Sequence, residues 1–278
     1  MVKILENKMI VPNICMITVS APEIARSVQA GQFVIVRADE DGERIPLSVS
    51  DWDVDQGTIT LVYVLVGKTT QRLATLTPKD NLPTVVGPLG NAMEIDLFGK
   101  VACIGGCYGL ASIYPIARAL KENGNRVTII VEGRSSNLMY WQKKLKSVSD
   151  QLIVITRDGS QGIQGHIGNL QTLFARPDML PDRVIVNGCN YLMMRAAEET
   201  RPLNIKTIVS LNTLMIDGTG MCGVCRLTVS SSTKFACVDG PHFDAHEVDW
   251  DELAQRRKAY LSEETQLLRS SLPQENQI

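Results

Sequence analysis

Val101-Ala102-Cys103-Ile104-Gly105-Gly106-Cys107-Tyr108-Gly109-Leu110-Ala111-Ser112 is four apolar residues, a glycine-rich turn and the start of a helical pattern. That order predicts a buried strand, a tight loop and a helix, the opening unit of a doubly wound α/β sheet. The helix is expected over 111–123, with Gly124 beyond it as a left-handed C-cap. Further on, residues 127–131, 152–156 and 183–186 read as buried strands, and 138–146 and 191–200 as helices. Strands alternating with helices predict a parallel sheet with helices on its faces. The loop stands where such sheets bind dinucleotide phosphates, and Gly105, Gly106 and Gly109 allow close backbone approach, although the spacing is not a full G-x-G-x-x-G. At the end of the second strand, Glu132 is placed to accept from a ribose hydroxyl, which favours NAD, while Arg134 is placed to meet a 2′-phosphate, which favours NADP. Both readings stay open. Gly188, in Asn187-Gly188-Cys189-Asn190, ends a later strand at the same carboxyl edge, and Cys189 is read either as a neighbour of the nicotinamide or as a half-buried structural thiol.

Before this unit the rhythm is different. Residues 14–20, 32–38, 44–50, 57–66 and 84–86 are rich in Val, Ile and Thr and are separated by glycine-containing turns, which predicts a closely wound antiparallel barrel. A helix over 68–76 would cover one end. Within the barrel region lies Arg44-Ile45-Pro46-Leu47-Ser48-Val49-Ser50, an arginine and a hydroxyl spaced to meet a flavin's pyrophosphate and ring edge, or else an ordinary strand with an exposed arginine. Val66-Gly67-Lys68-Thr69-Thr70 offers a glycine, two hydroxyls and a helix start to a phosphate. It is not a Walker A loop, because Val62 stands where G-x4-G-K-S/T needs its first glycine. Gly87-Pro88-Leu89-Gly90 closes the region as a linker turn or a hinge. Cys15 and Cys103 fall in apolar runs and read as core.

After the α/β region comes Asp217-Gly218-Thr219-Gly220-Met221-Cys222-Gly223-Val224-Cys225, and Cys237 follows after eleven residues. Plant-type [2Fe-2S] proteins space their ligands C-x4-C-x2-C with a distant fourth cysteine. Here Asp217 stands at the first of those positions, a harder donor than thiolate but able to complete an iron site. The competing reading is structural zinc held by the three cysteines with His242 or His246. A thioredoxin-like pair fits less well, because that motif belongs to a βαβ unit.

The 278 residues suffice for two domains and an appendage, and 44% hydrophobic content supports ordinary cores. A net charge of −2, from 28 basic and 30 acidic residues, points to no nucleic-acid partner. No run is long enough for membrane insertion, the N-terminus has no signal-peptide profile, and seven cysteines, an odd number, suit a reducing cytoplasmic setting. Residues 252–268 have helical character, and 270–278 are expected to fray.

From the N-terminus to about Leu253 the chain resembles the small subunit of NADH-dependent ferredoxin:NADP oxidoreductase, also described as a sulfide dehydrogenase beta subunit, with the electron-transfer subunit of dihydroorotate dehydrogenase B as a near relative. Thr207-Ile208-Val209-Ser210-Leu211-Asn212 running into the Asp217–Cys225 loop carries the resemblance, with Phe235-Ala236-Cys237-Val238-Asp239-Gly240-Pro241, Phe243-Asp244 and Val248-Asp249 beyond. The dihydroorotate branch typically has cysteine at Asp217, so the aspartate favours the transhydrogenase branch. The resemblance implies a multidomain ferredoxin-reductase-like fold. Its parts are an antiparallel β-barrel FAD domain over 1–98, an α/β NAD(P) domain over 99–210 and a small [2Fe-2S] domain over 211–250, with a helix and tail over 251–278. It implies FAD contacts from Arg44, Pro46, Leu47, Ser48, Gly67, Lys68 and Thr69. Asp217, Cys222, Cys225 and Cys237 would hold the cluster. An NAD(H) or NADP(H) pocket would be lined by Gly105, Gly106, Gly109, Glu132 and Gly188. The implied activity is electron transfer by an oxidoreductase subunit to or from a larger flavin and iron–sulfur partner subunit, with ferredoxin as a further partner. The alternatives are service to a dihydroorotate dehydrogenase, or a relay whose nucleotide site no longer works. The departures all lie in the nucleotide loop, where Cys107 and Tyr108 replace part of G-G-G-x-G-x-A-P, and in Gly188-Cys189-Asn190, which lacks the usual proline.

Overall fold

Two seven-stranded sheets organise the chain, each built from the periodicity that predicts it. The structure is a computed structural model and describes residues 1–263, 265 and 266. The first sheet comprises β1 (Val2–Val11), β2 (Ile14–Ser20), β3 (Phe33–Arg37), β4 (Ile45–Asp53), β5 (Thr58–Val64), β6 (Asn81–Leu82) and β7 (Thr84–Leu89), with helices α1 (Pro22–Ser27) and α2 (Lys68–Thr75) between strands. Its order is β6-β1-β2-β5-β4-β3-β7, antiparallel throughout, and it curls into a nearly closed barrel. Alternate residues such as Ile17, Val19, Val34, Val36, Ile59 and Leu61 fill one core, as a period of two requires.

The second sheet comprises β8 (Lys100–Gly106), β9 (Arg126–Gly133), β10 (Gln151–Thr156), β11 (Ile163–Gln164), β12 (Arg183–Asn187) and β13 (Lys206–Ser210). A hairpin of β14 (Arg226–Val229) and β15 (Ser232–Phe235) follows, and β16 (His242–Asp244) then returns to the sheet edge. Helices α3 (Gly109–Glu122), α4 (Gln142–Ser147), α5 (Leu170–Phe174), α6 (Asn190–Thr200) and α7 (Trp250–Arg257) complete the chain. The order is β11-β10-β9-β8-β12-β13-β16, parallel except at β16. The chain reverses direction across the sheet between β8 and β12, so Gly105, Gly106 and Gly188 gather at the switch point where open α/β sheets bind ligands. Among the described residues no helix is long and apolar enough to cross a membrane.

Three local expectations are corrected. β1 lies ahead of the first strand read from sequence; register shifts at Ile4/Glu6 and Met9/Val11 break its alternation, so the pattern is blurred. The helix expected over 138–146 is instead a 3-10 turn over Ser136–Leu138 followed by the short α4. Trp141 between them is left-handed at φ 55°, held by edge-on contact with Tyr114 at 5.8 Å and by Lys144 over its ring at 4.2 Å. The C-terminal helix begins at Trp250, capped by Asp249 accepting from the Glu252 N–H at 2.9 Å, and is interrupted at 258–260. The expectations for residue 264 and for 267–278 lie outside the described residues.

His242 locks the two sheets together. Its Nδ1 shares a 2.8 Å hydrogen bond with Ser210 Oγ, and its ring lies so close to Gly31 of the barrel that a Cβ there would fall 2.3 Å from Nε2. Burial lowers its pKa to about 4. A histidine depressed in the folded state from an unfolded value of about 6.5 contributes stability fully above that pH, and the contribution is lost as pH falls toward 4. The loss amounts to about 3 kcal/mol. Urea melts of wild type and His242→Gln should therefore diverge in slope between pH 6.5 and 4, with the variant flatter; parallel curves would contradict this.

Candidate functional site

A cavity of about 470 Å³ opens between barrel residues Pro12, Asn13, Ile14 and Val64 and the switch-point residues Gly106, Cys107, Glu132, Arg134, Arg157 and Cys189. Gly105, Gly106, Gly109, Glu132 and Gly188, proposed from sequence for one pocket, lie together at its floor or directly behind it. Gly109 is there because nothing larger fits: an added Cβ would sit 1.9 Å from the Asn187 carbonyl oxygen. Cys107, exposed in the cleft lining, adopts φ 55°, a conformation glycine tolerates best. Its carbonyl accepts from Tyr140 Oη at 3.0 Å, which fixes the strained turn. Tyr108 Oη donates to the Gly188 carbonyl at 2.8 Å and is itself met by Asn212 Nδ2, which also reaches Gly188 O at 3.3 Å. The nucleotide loop is thus tied to the segment leading into the cysteine loop. In the sequence Asn212 belongs to the stretch that carries the resemblance but has no role assigned to it; the fold brings it to Tyr108.

On the barrel, Pro46 and Leu47 pair with Ile35 and Val34 of β3, and Arg44 lies exposed just ahead of β4. Thr69 Oγ1 donates to Glu43 Oε2 at 2.8 Å, which sets the Arg44–Ser48 stretch beside the start of α2. Thr70 Oγ1 accepts from the Val66 and Gly67 N–H groups at 3.1 Å each, and beside Gly67 there is open space, with nothing within 4 Å of an added Cβ. The two motifs read separately in the sequence form one polar strip.

The cysteine loop is organised by its hairpin. Ser230 and Ser231 turn at φ 49° and 60°, pairing Arg226 with Phe235, so the flanking Cys225 and Cys237 are brought together with Sγ atoms 3.2 Å apart. Both are buried, and burial followed by the adjacent Cys225 thiol raises the Cys237 pKa. Cys222 is exposed. Asp217 accepts from Thr219 N–H at 3.0 Å through Oδ1 and from Cys222 N–H at 2.8 Å through Oδ2, and these bonds, Thr219 first, lower its pKa. Among the described residues no three His, Cys, Asp or Glu side chains converge on one point. Cys225 and Cys237 stand as one thiol pair, and Asp217 meets Cys222 through its backbone N–H. The histidines of the zinc reading are engaged elsewhere, His242 with Ser210 and His246 with Thr200 Oγ1 at 3.1 Å. Gly218, at φ 74°, packs the loop onto the barrel; an added Cβ would meet Leu89 at 2.9 Å and Ile35 at 3.0 Å.

An antiparallel barrel joined to a parallel, doubly wound sheet with a ligand cleft between them defines a ferredoxin-reductase-like protein. A ferredoxin NADP+ reductase from Neisseria gonorrhoeae with bound FAD and NADP shares the fold at a TM-score of 0.61 and 16% identity, covering 73% of this chain and 90% of that one. Residues 212–249 match the iron–sulfur cluster binding domain of dihydroorotate dehydrogenase B. A dihydroorotate dehydrogenase B electron transfer subunit homolog from Thermotoga maritima is 42% identical over 88% of this chain and 86% of its own length. A solved structure of NADH-dependent reduced ferredoxin-NADP oxidoreductase superposes with a TM-score of 0.91 at 39% identity, covering 98% of both chains. The chain belongs to the family of dihydroorotate dehydrogenase B electron-transfer subunits and their homologues.

Proposed function

We propose that this chain is the electron-transfer subunit of an oxidoreductase, passing electrons between a pyridine dinucleotide and a larger flavin- and iron–sulfur-containing partner subunit, with ferredoxin as a further partner. The observation that carries the reading is the packing of the barrel between the two other sites. The dinucleotide cleft is walled by Pro12–Ile14 and Val64 on one side, and the cysteine loop rests through Gly218 on Ile35 and Leu89 on another. When bound, FAD supplies the exchange between two-electron hydride chemistry and single electrons, and a [2Fe-2S] cluster supplies a one-electron carrier.

The chain's own residues have distinct tasks in this reading. Arg44 offers a guanidinium to the flavin pyrophosphate, and Gly67, Lys68 and Thr69 present the start of α2 to it. Pro46, Leu47 and Ser48, on β4, would contact the flavin ring. Asp217, Cys222, Cys225 and Cys237 would hold the cluster, Cys225 and Cys237 as an already adjacent pair. Gly105, Gly106, Gly109 and Gly188 let the dinucleotide approach the backbone at the switch point, with Glu132 at its far end. The divisions 1–98, 99–210, 211–250 and 251–278 assign these tasks to separate parts, and the free thiols and absence of a long apolar helix among the described residues suit a cytoplasmic setting.

Anaerobic purification followed by flavin and iron analysis, then titration with NADH and NADPH, tests the proposal. Bound flavin, about two irons per chain and bleaching by a dinucleotide are expected. A preparation with neither flavin nor iron would overturn it, and bleaching by neither nucleotide would leave only the relay without a working nucleotide site.

A further inference from the structure

Tyr108 fills the variable position of G-G-G-x-G in the nucleotide loop, so the ties it makes belong to this chain and not to the loop motif. It caps α3, directly after Gly106 and Cys107 of the cleft lining. Its Oη donates at 2.8 Å to the carbonyl of Gly188, and Asn212 Nδ2 donates both to that Oη and, at 3.3 Å, to the same carbonyl. The chain segments leaving β8, β12 and β13 therefore meet at one carbonyl oxygen. Asn212 is also fixed from behind. Its carbonyl accepts from Arg257 Nη1 on α7, and the Leu211 N–H before it donates to the Pro241 carbonyl at 2.8 Å. Further along, Met215 is buried, and Asp217, five residues beyond Asn212, accepts from the Cys222 N–H at 2.8 Å. The stretch between the nucleotide loop and the cysteine loop is short and tethered along its length.

Resting on the electron-transfer reading above, we infer that Tyr108 and Asn212 are positioning residues that couple the dinucleotide cleft to the cluster loop, so that a dinucleotide bound at the switch point shifts the cluster's reduction potential. A pyrophosphate drawn to the N–H groups at the start of α3 acts on the turn that carries Tyr108. Because Tyr108 shares its hydroxyl with Asn212 and both share Gly188 O, a movement of that turn reaches the segment leading to Asp217. Cluster potentials respond to the hydrogen bonds and solvent exposure around the ligands, and here those depend on how Asp217 and the Cys222 N–H are placed. Linkage makes the effect reciprocal: the oxidised and reduced forms bind the dinucleotide with affinities that differ by the same factor. One neutral hydrogen bond gained or lost is worth about fivefold in such an equilibrium.

Potentiometric titration of the holo-chain, followed by the paramagnetic signal of the reduced cluster, tests this with ADP-ribose and 2′-phospho-ADP-ribose as probes. Both carry the pyrophosphate and neither carries a nicotinamide, so neither exchanges a hydride with the flavin. Calorimetry on the same preparation measures their binding. With the tighter probe at saturation, the cluster potential should move by about 40 mV, the one-electron equivalent of a fivefold change. Tyr108→Phe keeps the ring and removes one donor, and Asn212→Ala removes the other; each leaves Gly188 O a partner, so neither strands that carbonyl. In each variant the shift should fall to less than half, with flavin and iron content unchanged. Binding without a shift in wild type overturns the inference and leaves the dinucleotide reading standing. Binding of neither probe overturns both. An undiminished shift in either variant removes that residue from the coupling.

Discussion

Cys237→Ala is expected to strip iron from the protein, reducing occupancy more than about tenfold, while bound flavin stays stoichiometric. The asymmetry follows from where each group would sit. Cys225 and Cys237 are held together by the β14–β15 hairpin, with the Ala236 N–H donating to the Cys225 carbonyl at 3.2 Å, so removing one thiol leaves half of a buried pair. The barrel has its own core, built around Ile17, Ile59 and Leu61, to which neither cysteine contributes. Asp217→Cys should behave in the opposite way: iron is retained, and the softer thiolate in place of a carboxylate alters the cluster's reduction potential. Iron analysis beside the flavin spectrum reads both. Full iron content in Cys237→Ala would remove this residue from the ligand set.

Gly109→Ala is expected to cost about 3 kcal/mol and to abolish dinucleotide binding. The added Cβ would lie 1.9 Å from Asn187 O, 2.4 Å from Asn187 C and 2.8 Å from Gly188 Cα, all backbone atoms at the end of a central parallel strand. Relief requires α3 to move away from β12, which opens the switch point itself. A fall in melting temperature on the order of 10 °C follows. Gly67→Ala is the matched control, since a Cβ there meets nothing within 4 Å, and its stability should change by less than about 0.5 kcal/mol. Equal losses in the two variants would show that close packing at Gly109 is not the cause.

The features legible in the sequence are those with a local cause. Residues 101–104 and 127–131 announce themselves as buried strands because both faces of a parallel strand are covered, and Cys222, Cys225 and Cys237 because metal-ligand spacing is written along the chain. β1 was obscured by bulges, and the 138–146 helix was displaced by aromatic packing around Trp141, a tertiary effect that propensity does not carry. At the site, Glu132 is visible as a strand-end carboxylate, but its partner Arg157, 25 residues on, is not, and the fold engages the carboxylate with it. The Tyr108–Gly188–Asn212 contacts and the His242–Gly31 junction likewise join residues from different elements. Sequence spacing says nothing about them.

The central claim is that electrons pass from a dinucleotide in the cleft to a cluster in the Asp217–Cys237 loop. Anaerobic addition of one equivalent of NADH, and of NADPH to a second sample, with visible and paramagnetic-resonance spectra taken on each, tests it most directly. The account predicts flavin bleaching together with the paramagnetic signal of a reduced [2Fe-2S] cluster, at about one spin per chain. Flavin bleaching with the cluster left oxidised, in a protein that carries its full iron, would contradict it.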